Sequence, residues 1–283
     1  MLGPATKVAV LQMTAGIDPA ENAATIVDAL DRAADEGAAM LFTPEMSGLL
    51  DRNRARAAAH IVAEPDNPVL AAVRETAARR GIWCALGSLA VRRDDGRWAN
   101  RALLIDAGGA VAARYDKIHM FDVDLAGGES WRESNAYAPG ETLAVADTPA
   151  GRLGLTICYD IRFPAVYDAL GQARCDVIAI PAAFTVPTGA AHWHILQRAR
   201  AIEASAYVVA AAQVGRHADG RSTYGHSLVV DPWGEVLLDL GGDAPGLGFA
   251  AIDPARIAAV REQVPSLANR RAVPLLGAAA LGE

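Results

Sequence analysis

Cysteine is scarce in this chain: three residues among 283, at positions 84, 158 and 175. An odd number at such wide spacing is not a disulfide framework, and no Cys-x-x-Cys pair suggests a zinc site. A reducing, cytoplasmic setting is the expectation. No run of about 18 apolar residues occurs, so no membrane span is expected. Met1 to Lys7 has no charged stretch leading into an apolar one, so no signal peptide is expected. Basic charge is also short, with 26 Lys and Arg against 33 Asp and Glu and a net charge of −7. That balance argues against nucleic acid as a partner, because phosphate binding wants a basic face. Repeats, low-complexity stretches, linkers and coiled-coil heptads are missing, which removes support for a filamentous or purely structural role. What the chain does have is apolar residues, 52% of the total, enough for a substantial core in one large α/β domain.

The apolar residues fall into short runs separated by helical patterns. Lys7–Met13 reads as a strand, Pro19 to Gly37 as a helix with Asp18 as N-cap, and Ala38–Thr43 as a second strand. This opening is βαβ and implies a parallel pair. A helix at Asn67–Arg80 leads to a strand at Ile82–Val91, and Gly108-Gly109 signals a hairpin between strands near 102–106 and 110–115. Residues 117–141 read as a long irregular loop, of the kind that is usually functional or disordered. Strands at 143–147 and 153–157, a helix at 164–172, a strand at 177–181 and a helix at 192–204 follow. Further strands at 207–213, 226–230, 236–240 and 249–252 precede a last helix at 254–263. The pattern predicts sheets covered by helices and leaves open whether one doubly wound sheet or two stacked sheets are formed.

Three strand ends carry groups that suit acyl transfer. Cys158 ends the apolar strand in Gly-Arg-Leu-Gly-Leu-Thr-Ile-Cys-Tyr-Asp-Ile-Arg-Phe-Pro (151–164), and Pro164 opens the next helix. Glu45 follows a strand in Thr-Pro-Glu-Met-Ser-Gly (43–48), and Lys117 follows one in Tyr-Asp-Lys-Ile-His-Met-Phe-Asp (115–122). Strand ends on one edge of an α/β sheet converge on a crevice. There a glutamate can take the thiol proton, the thiolate can attack a carbonyl or nitrile carbon, and the ammonium, with the backbone N–H of Tyr159, can hold the oxyanion. Singly, each has a plainer reading: a cysteine after a strand packs as a small hydrophobe, and a rim carboxylate or ammonium is solvated. A proton-shuttling role predicts a raised pKa for Glu45, from partial burial beside Met40–Phe42.

Those three segments, in that order, resemble the signature blocks of the carbon–nitrogen hydrolase (nitrilase) superfamily. The resemblance continues through Gly-Ala-Ala-His-Trp (189–193), Arg-Ala-Arg-Ala-Ile-Glu (198–203) and Tyr-Gly-His-Ser-Leu-Val-Val-Asp-Pro-Trp-Gly (224–234), and covers about residues 7–275 of a single domain spanning 1–283. It implies a Glu45–Lys117–Cys158 triad, and a second glutamate, Glu133 in Trp-Arg-Glu-Ser-Asn (131–135), that orients the lysine and positions substrate. Tyr159 and Phe184 are the expected oxyanion and substrate contacts. The fold implied is a four-layer α-β-β-α sandwich, with homodimers or larger homo-oligomers as assemblies, a small-molecule amide as substrate and no membrane partner. The mechanism needs no metal and no organic cofactor. Within the superfamily, Tyr-Val-Val-Ala-Ala-Ala-Gln-Val-Gly-Arg-His (207–217) looks most like deaminated glutathione amidases, and Met-Phe-Asp-Val-Asp (120–124) is closer to omega-amidases. Cys158-Tyr-Asp departs from the Cys-Trp-Glu of nitrilases proper. N-carbamoyl amino acid hydrolysis stays open, as does a catalytically silent binding protein on the same scaffold, against which the four intact residues speak.

Other motifs carry less. Gly246-Leu-Gly-Phe-Ala-Ala matches a dinucleotide fingerprint but runs into a strand rather than opening a helix. His192 and His194 are two apart and do not share a helix face. Cys175 reads as buried, and Arg216 and His217 as loop charges that could meet an anion. His194 stands where relatives usually carry a glutamate after His-Trp.

Overall fold

The structure, a computed structural model, describes residues 3–124, 128 and 130–273. Its first half contains β1 (Thr6–Gln12), α1 (Pro19–Asp35), β2 (Met40–Phe42), α2 (Arg54–Ala58), α3 (Pro68–Arg80), β3 (Trp83–Arg92), β4 (Trp98–Ile105) and β5 (Val111–Asp116). A small hairpin of β6 (Asp122–Asp124) and β7 (Ser130–Arg132) follows, then β8 (Ala144–Thr148) and β9 (Gly151–Leu155). Next come α4 (Pro164–Gln172), β10 (Val177–Ala179), α5 (Val186–Ala204), β11 (Tyr207–Ala210), β12 (Val214–Arg216) and β13 (Ser222–Tyr224). The last elements are β14 (Leu228–Val230), β15 (Val236–Asp239), β16 (Gly246–Ile252) and α6 (Pro254–Gln263).

Twelve of the labelled strands form two six-stranded mixed sheets, ordered β16-β1-β2-β3-β4-β5 and β15-β14-β11-β10-β9-β8, while β6-β7 and β12-β13 pair as separate two-stranded ribbons. The opening βαβ unit is parallel, with Val8, Ala9 and Val10 opposite Met40, Leu41 and Phe42. Alternation along these strands explains the layers. Val8, Val10, Met40, Phe42, Ala85 and Ala102 join one buried cluster with Leu155, Ala179 and Val209 of the other sheet. Their neighbours Ala9, Leu11, Leu41 and Cys84 turn the other way, onto Ile26 and Leu30 of α1 and Val73 and Ala77 of α3. Strands buried on both faces read as continuous apolar runs. The second sheet is covered by α4 and α5 through Tyr167, Leu170, Ala201 and Ala204. Gly154 makes room for α4: a Cβ there would stand 2.9 Å from Leu170 Cδ2. The architecture is the α-β-β-α sandwich that the family resemblance implies, and it settles the question of one sheet or two.

Several elements differ from the reading of the sequence, among them the short α2 and the β12–β13 hairpin, and three bear on the site or on motifs set aside. The stretch after Lys117 holds the β6–β7 hairpin and a 3₁₀ turn at Glu133–Asn135 rather than an unbroken loop. Helix α5 begins at Val186, because Pro187 is compatible with a first helical turn and Gly189 lets the helix approach the Tyr224 ring, 2.2 Å from where a Cβ would sit. Strand β16 starts at Gly246 rather than at 249, and its antiparallel pairing with β1 over Gly246–Ile252 agrees with setting the dinucleotide motif aside.

Candidate active site

Cys158 stands just past the end of β9, where the chain turns into a 3₁₀ segment at Cys158–Arg162. Its backbone is left-handed, φ +46°, an uncommon state for a residue with a Cβ. The surroundings over-determine that turn. The N–H of Cys158 donates to Pro181 O at 2.8 Å, and that of Ile157 donates to Asp160 Oδ2 at 2.9 Å. Asp160 is in turn held by Tyr115 Oη (2.7 Å) and by the backbone N–H of His119 (3.1 Å), while the His119 ring stacks on Phe163 with centroids 3.5 Å apart. The segment carrying Lys117 therefore clamps the segment carrying Cys158, so strain at the thiol is supported from outside.

Lys117 reaches the same place from the end of β5. Its Nζ lies 2.9 Å from Glu45 Oε1 and 2.9 Å from Glu133 Oε2, and it is almost wholly buried. Glu45 follows β2 and also accepts from Asn100 Nδ2 at 2.9 Å and from the backbone N–H of Ala183 at 3.0 Å. Glu133 accepts from Asn100 Nδ2 at 3.1 Å and from Phe121 N–H at 2.7 Å. The structure thus brings Glu45, Lys117, Glu133 and Cys158 together.

Their ionisation follows from this packing. Burial pushes the Cys158 thiol up, the Glu45 carboxylate adds to that, and Lys117 only partly opposes it, so the thiol lies well above its ordinary value. Burial also pushes Glu45 up, but the Lys117 charge, with hydrogen bonds to Lys117, Cys158 and Asn100, outweighs it and leaves the carboxyl below its ordinary value. This corrects the expectation of a raised Glu45 pKa. Burial opposes the Lys117 charge as well, and the charges of Glu133 and Glu45 overcome it, holding the ammonium well above its usual range. The resting site is a carboxylate, an ammonium and a neutral thiol.

The thiol opens into a cavity of about 740 Å³. Tyr159 and Phe184, the two expected contacts, both line it. Reading the sequence missed Asn100, which joins the two glutamates from the middle of β4, and Arg162, four residues past the thiol. The Arg162 guanidinium lines the cavity 5.5 Å from the Phe184 ring and 5.9 Å from the Tyr159 ring, and its polar contact is with His192 Nδ1 at 3.3 Å. Arg221, held by Asp219 at 2.7 Å, also lines it. Arg216 and His217 do not line it. His217 is buried between Ala15 O (2.8 Å) and Thr223 Oγ1 (2.7 Å), and burial lowers its pKa. Cys175 is buried away from the cavity, as expected, and so is Cys84.

Asn100 offers a direct test of the network. In Asn100→Ala both carboxylates lose a shared donor, and kcat should fall by about 10²-fold, the effect of misplacing a reacting group by about 1 Å. KM should hold, because Asn100 does not line the cavity. Steady-state kinetics on an amide substrate check this, and a rise in KM at constant kcat would move Asn100 to substrate binding.

A stacked pair of sheets between helix layers, with a thiol, a carboxylate and an ammonium converging at strand ends, defines a cysteine-type hydrolase scaffold. The chain belongs to the carbon-nitrogen hydrolase family, whose model matches residues 7–262. It is 43% identical over 272 residues to the deaminated glutathione amidase of Yersinia enterocolitica, covering 95% of this chain and 94% of that one. Among solved structures, the C. elegans NitFhit protein superposes with a TM-score of 0.87 at 37% identity, covering 96% of this chain and 66% of that one. A variant of the Nesterenkonia sp. amidase, with the acetamide moiety of fluoroacetamide covalently added at its active site cysteine, superposes with a TM-score of 0.80 at 29% identity over 96% of each chain.

Proposed function

We propose that this protein hydrolyses the C–N bond of a small carboxylate-bearing amide through an acyl-enzyme on Cys158, releasing ammonia, with deaminated glutathione the leading substrate. The observation that carries this is the contact of Lys117 Nζ with Glu45 and Glu133, both at 2.9 Å, beside the thiol at the wall of a 740 Å³ cavity. As the sulfur attacks the amide carbon, Glu45 takes the thiol proton. The carbonyl oxygen becomes an oxyanion facing the Tyr159 N–H and the third Lys117 proton, two of whose three donors are already engaged. Protonated Glu45 sits against an ammonium and is therefore a strong acid. It gives the proton to the departing nitrogen as the C–N bond breaks. Water, deprotonated by Glu45, then attacks the thioester, and the carboxylate product leaves with the thiol restored. Glu133 orients Lys117. Arg162, which has no carboxylate partner among the described residues, supports an anionic substrate, and Phe184 packs its apolar part.

The discriminating experiment is ammonia release over deaminated glutathione, α-ketoglutaramate, N-carbamoyl amino acids and uncharged short amides. Preference for the first supports the proposal. Preference for the second or third makes the protein an omega-amidase or a carbamoylase, and preference for uncharged amides removes the carboxylate requirement. An acyl-enzyme seen by intact mass distinguishes the enzyme from a silent binding protein. Lys117→Arg should lose most activity despite keeping the charge, by about 10²–10³-fold in kcat, because a planar guanidinium cannot replace a compact ammonium between two carboxylates. Near-normal kinetics would exclude Lys117 from the oxyanion site.

The proposal includes a cytoplasmic homodimer. Free cysteines at 84, 158 and 175 support a reducing setting, and among the described residues no helix is long and apolar enough to cross a membrane. Ile195 and Ile202 of α5 are 69% and 49% exposed, and Trp233 is 51% exposed in the turn that packs beside Ile202. An apolar patch of this kind supports pairing with a second copy. Sedimentation of the protein at micromolar concentration tests it.

A further inference from the structure

Away from the cavity, among the described residues, one group of metal-ligating side chains converges from three separate elements. His194 stands in the middle of α5, His226 in the turn between β13 and β14, and Asp239 at the end of β15. His194 Nε2 lies 3.0 Å from Asp239 Oδ2, and His226 Nδ1 lies 2.9 Å from Oδ1 and 3.1 Å from Oδ2. One ligand atom from each residue falls within 4.8 Å of the other two. His192, the sequence neighbour that a His-x-His motif would recruit, instead stands beside Arg162 at 3.3 Å.

The supporting contacts suit an ion. Asp239 Oδ1 also accepts from Gly241 N–H at 2.8 Å, which fixes the carboxylate and leaves Oδ2 turned to the imidazoles. His226 has a left-handed backbone, φ +55°, held by its own N–H on Gly241 O (2.7 Å) and by Trp193 Nε1 on its carbonyl (2.7 Å). A zinc ion bonded to two imidazoles and a carboxylate at about 2.0–2.2 Å would hold these atoms roughly 3.3 Å apart. The nitrogen–oxygen separations would widen by only a few tenths of an ångström, and the two nitrogens would close by about 1.5 Å at most, within reach of side-chain rotation. The three side chains are 36%, 24% and 32% exposed, so the group is accessible from solvent. Two nitrogens and one oxygen select zinc and its transition-metal neighbours rather than calcium or magnesium, which want oxygen.

We propose that His194, His226 and Asp239 bind one zinc-class divalent cation per chain, which ties α5 to the β14–β15 edge and takes no part in hydrolysis. None of the three lines the catalytic cavity. Binding to the folded chain alone stabilises it by mass action.

The test uses full-length protein carrying Cys158→Ser, so that the cavity thiol cannot compete, stripped with a chelator and titrated with zinc sulfate by calorimetry. One equivalent should bind and Tm should rise. In His194→Asn and in Asp239→Asn, affinity should drop at least about tenfold and the Tm rise should vanish, while His192→Asn should behave like the parent. Circular dichroism of each metal-free variant checks that it is folded, and the two independent variants guard against a failure of either. Cobalt in place of zinc should give a visible spectrum without a sulfur charge-transfer band. Absence of stoichiometric uptake, retention of full affinity in both variants, or a sulfur band would each overturn the proposal.

Discussion

Cys158→Ala should fold normally and lose turnover altogether. Alanine keeps the Cβ, so the left-handed backbone at φ +46° carries the same steric load and the bonds of Ile157 and Cys158 to Asp160 and Pro181 are untouched. Only the sulfur goes, from a side chain that lines a cavity, and the stability change should be on the order of 1 kcal/mol. Catalysis is another matter. Without a nucleophile no thioester forms, and removal of a nucleophile in acyl transfer costs about 10⁶ in kcat. Cys84→Ala and Cys175→Ala make the controls. Both thiols are fully buried, burial raises both pKa values, that of Cys175 to about 11, and neither lines the cavity. Both variants should keep the wild-type rate. Ammonia release and intact mass after incubation with amide read the result: an acyl adduct on the wild type and on both controls, none on Cys158→Ala. A wild-type rate in Cys158→Ala would end the covalent mechanism.

The candidate site was legible because its chemistry lies at strand ends. A strand that terminates in Glu45, Lys117 or Cys158 declares both the residue and the edge it occupies, and three such ends in one α/β chain point to one crevice. The links between the segments were not legible. Tyr115 and His119 clamp Asp160 across more than forty residues of sequence, and no spacing rule announces such a contact. Asn100 alternates correctly within β4 and reads as an ordinary ladder residue, yet its side chain bridges two glutamates. The pKa of Glu45 fails for the same reason: burial can be read beside Met40–Phe42, but the ammonium 2.9 Å away comes from 72 residues further on. The four-layer fold came through the family resemblance. Strands buried on both faces look alike in one wound sheet and in two stacked sheets, and only the pairing order separates them. Spacing sets His194 beside His192, its sequence neighbour, whereas its partners in space are 32 and 45 residues away, as the numbering of His226 and Asp239 gives.

Glu45→Gln should still bind substrate and stall at or before acylation. The resting site is thiol plus carboxylate, since Glu45 lies below and Cys158 above its ordinary value. The proton must therefore move during attack, and glutamine cannot accept it. Nor can glutamine satisfy the pocket. Glu45 presents one oxygen to Lys117 and Asn100 and the other to the Ala183 N–H, all donors, so an amide NH₂ must face a donor whichever way it turns. Loss of a positioned acid–base group typically costs about 10²–10⁴-fold, and kcat on amides should fall by at least that much. The wild-type pH profile gives an independent sign. A carboxyl held below its ordinary 4.5 is ionised throughout the neutral range, so kcat/KM should show no acid limb from Glu45 above pH 4.5. The stability contributed by the Glu45–Lys117 pair is present above the unfolded value of 4.5 and is lost as pH falls through the lower folded value. The proton-donating role separates from the proton-accepting one by choice of leaving group. An activated ester of the same acyl group departs without protonation and should recover part of the rate that the amide loses in Glu45→Gln. Steady-state rates on the matched amide and ester, in wild type and variant, make the comparison. Equal losses on both would remove Glu45 as general acid and leave it the activation of the thiol and the placement of water.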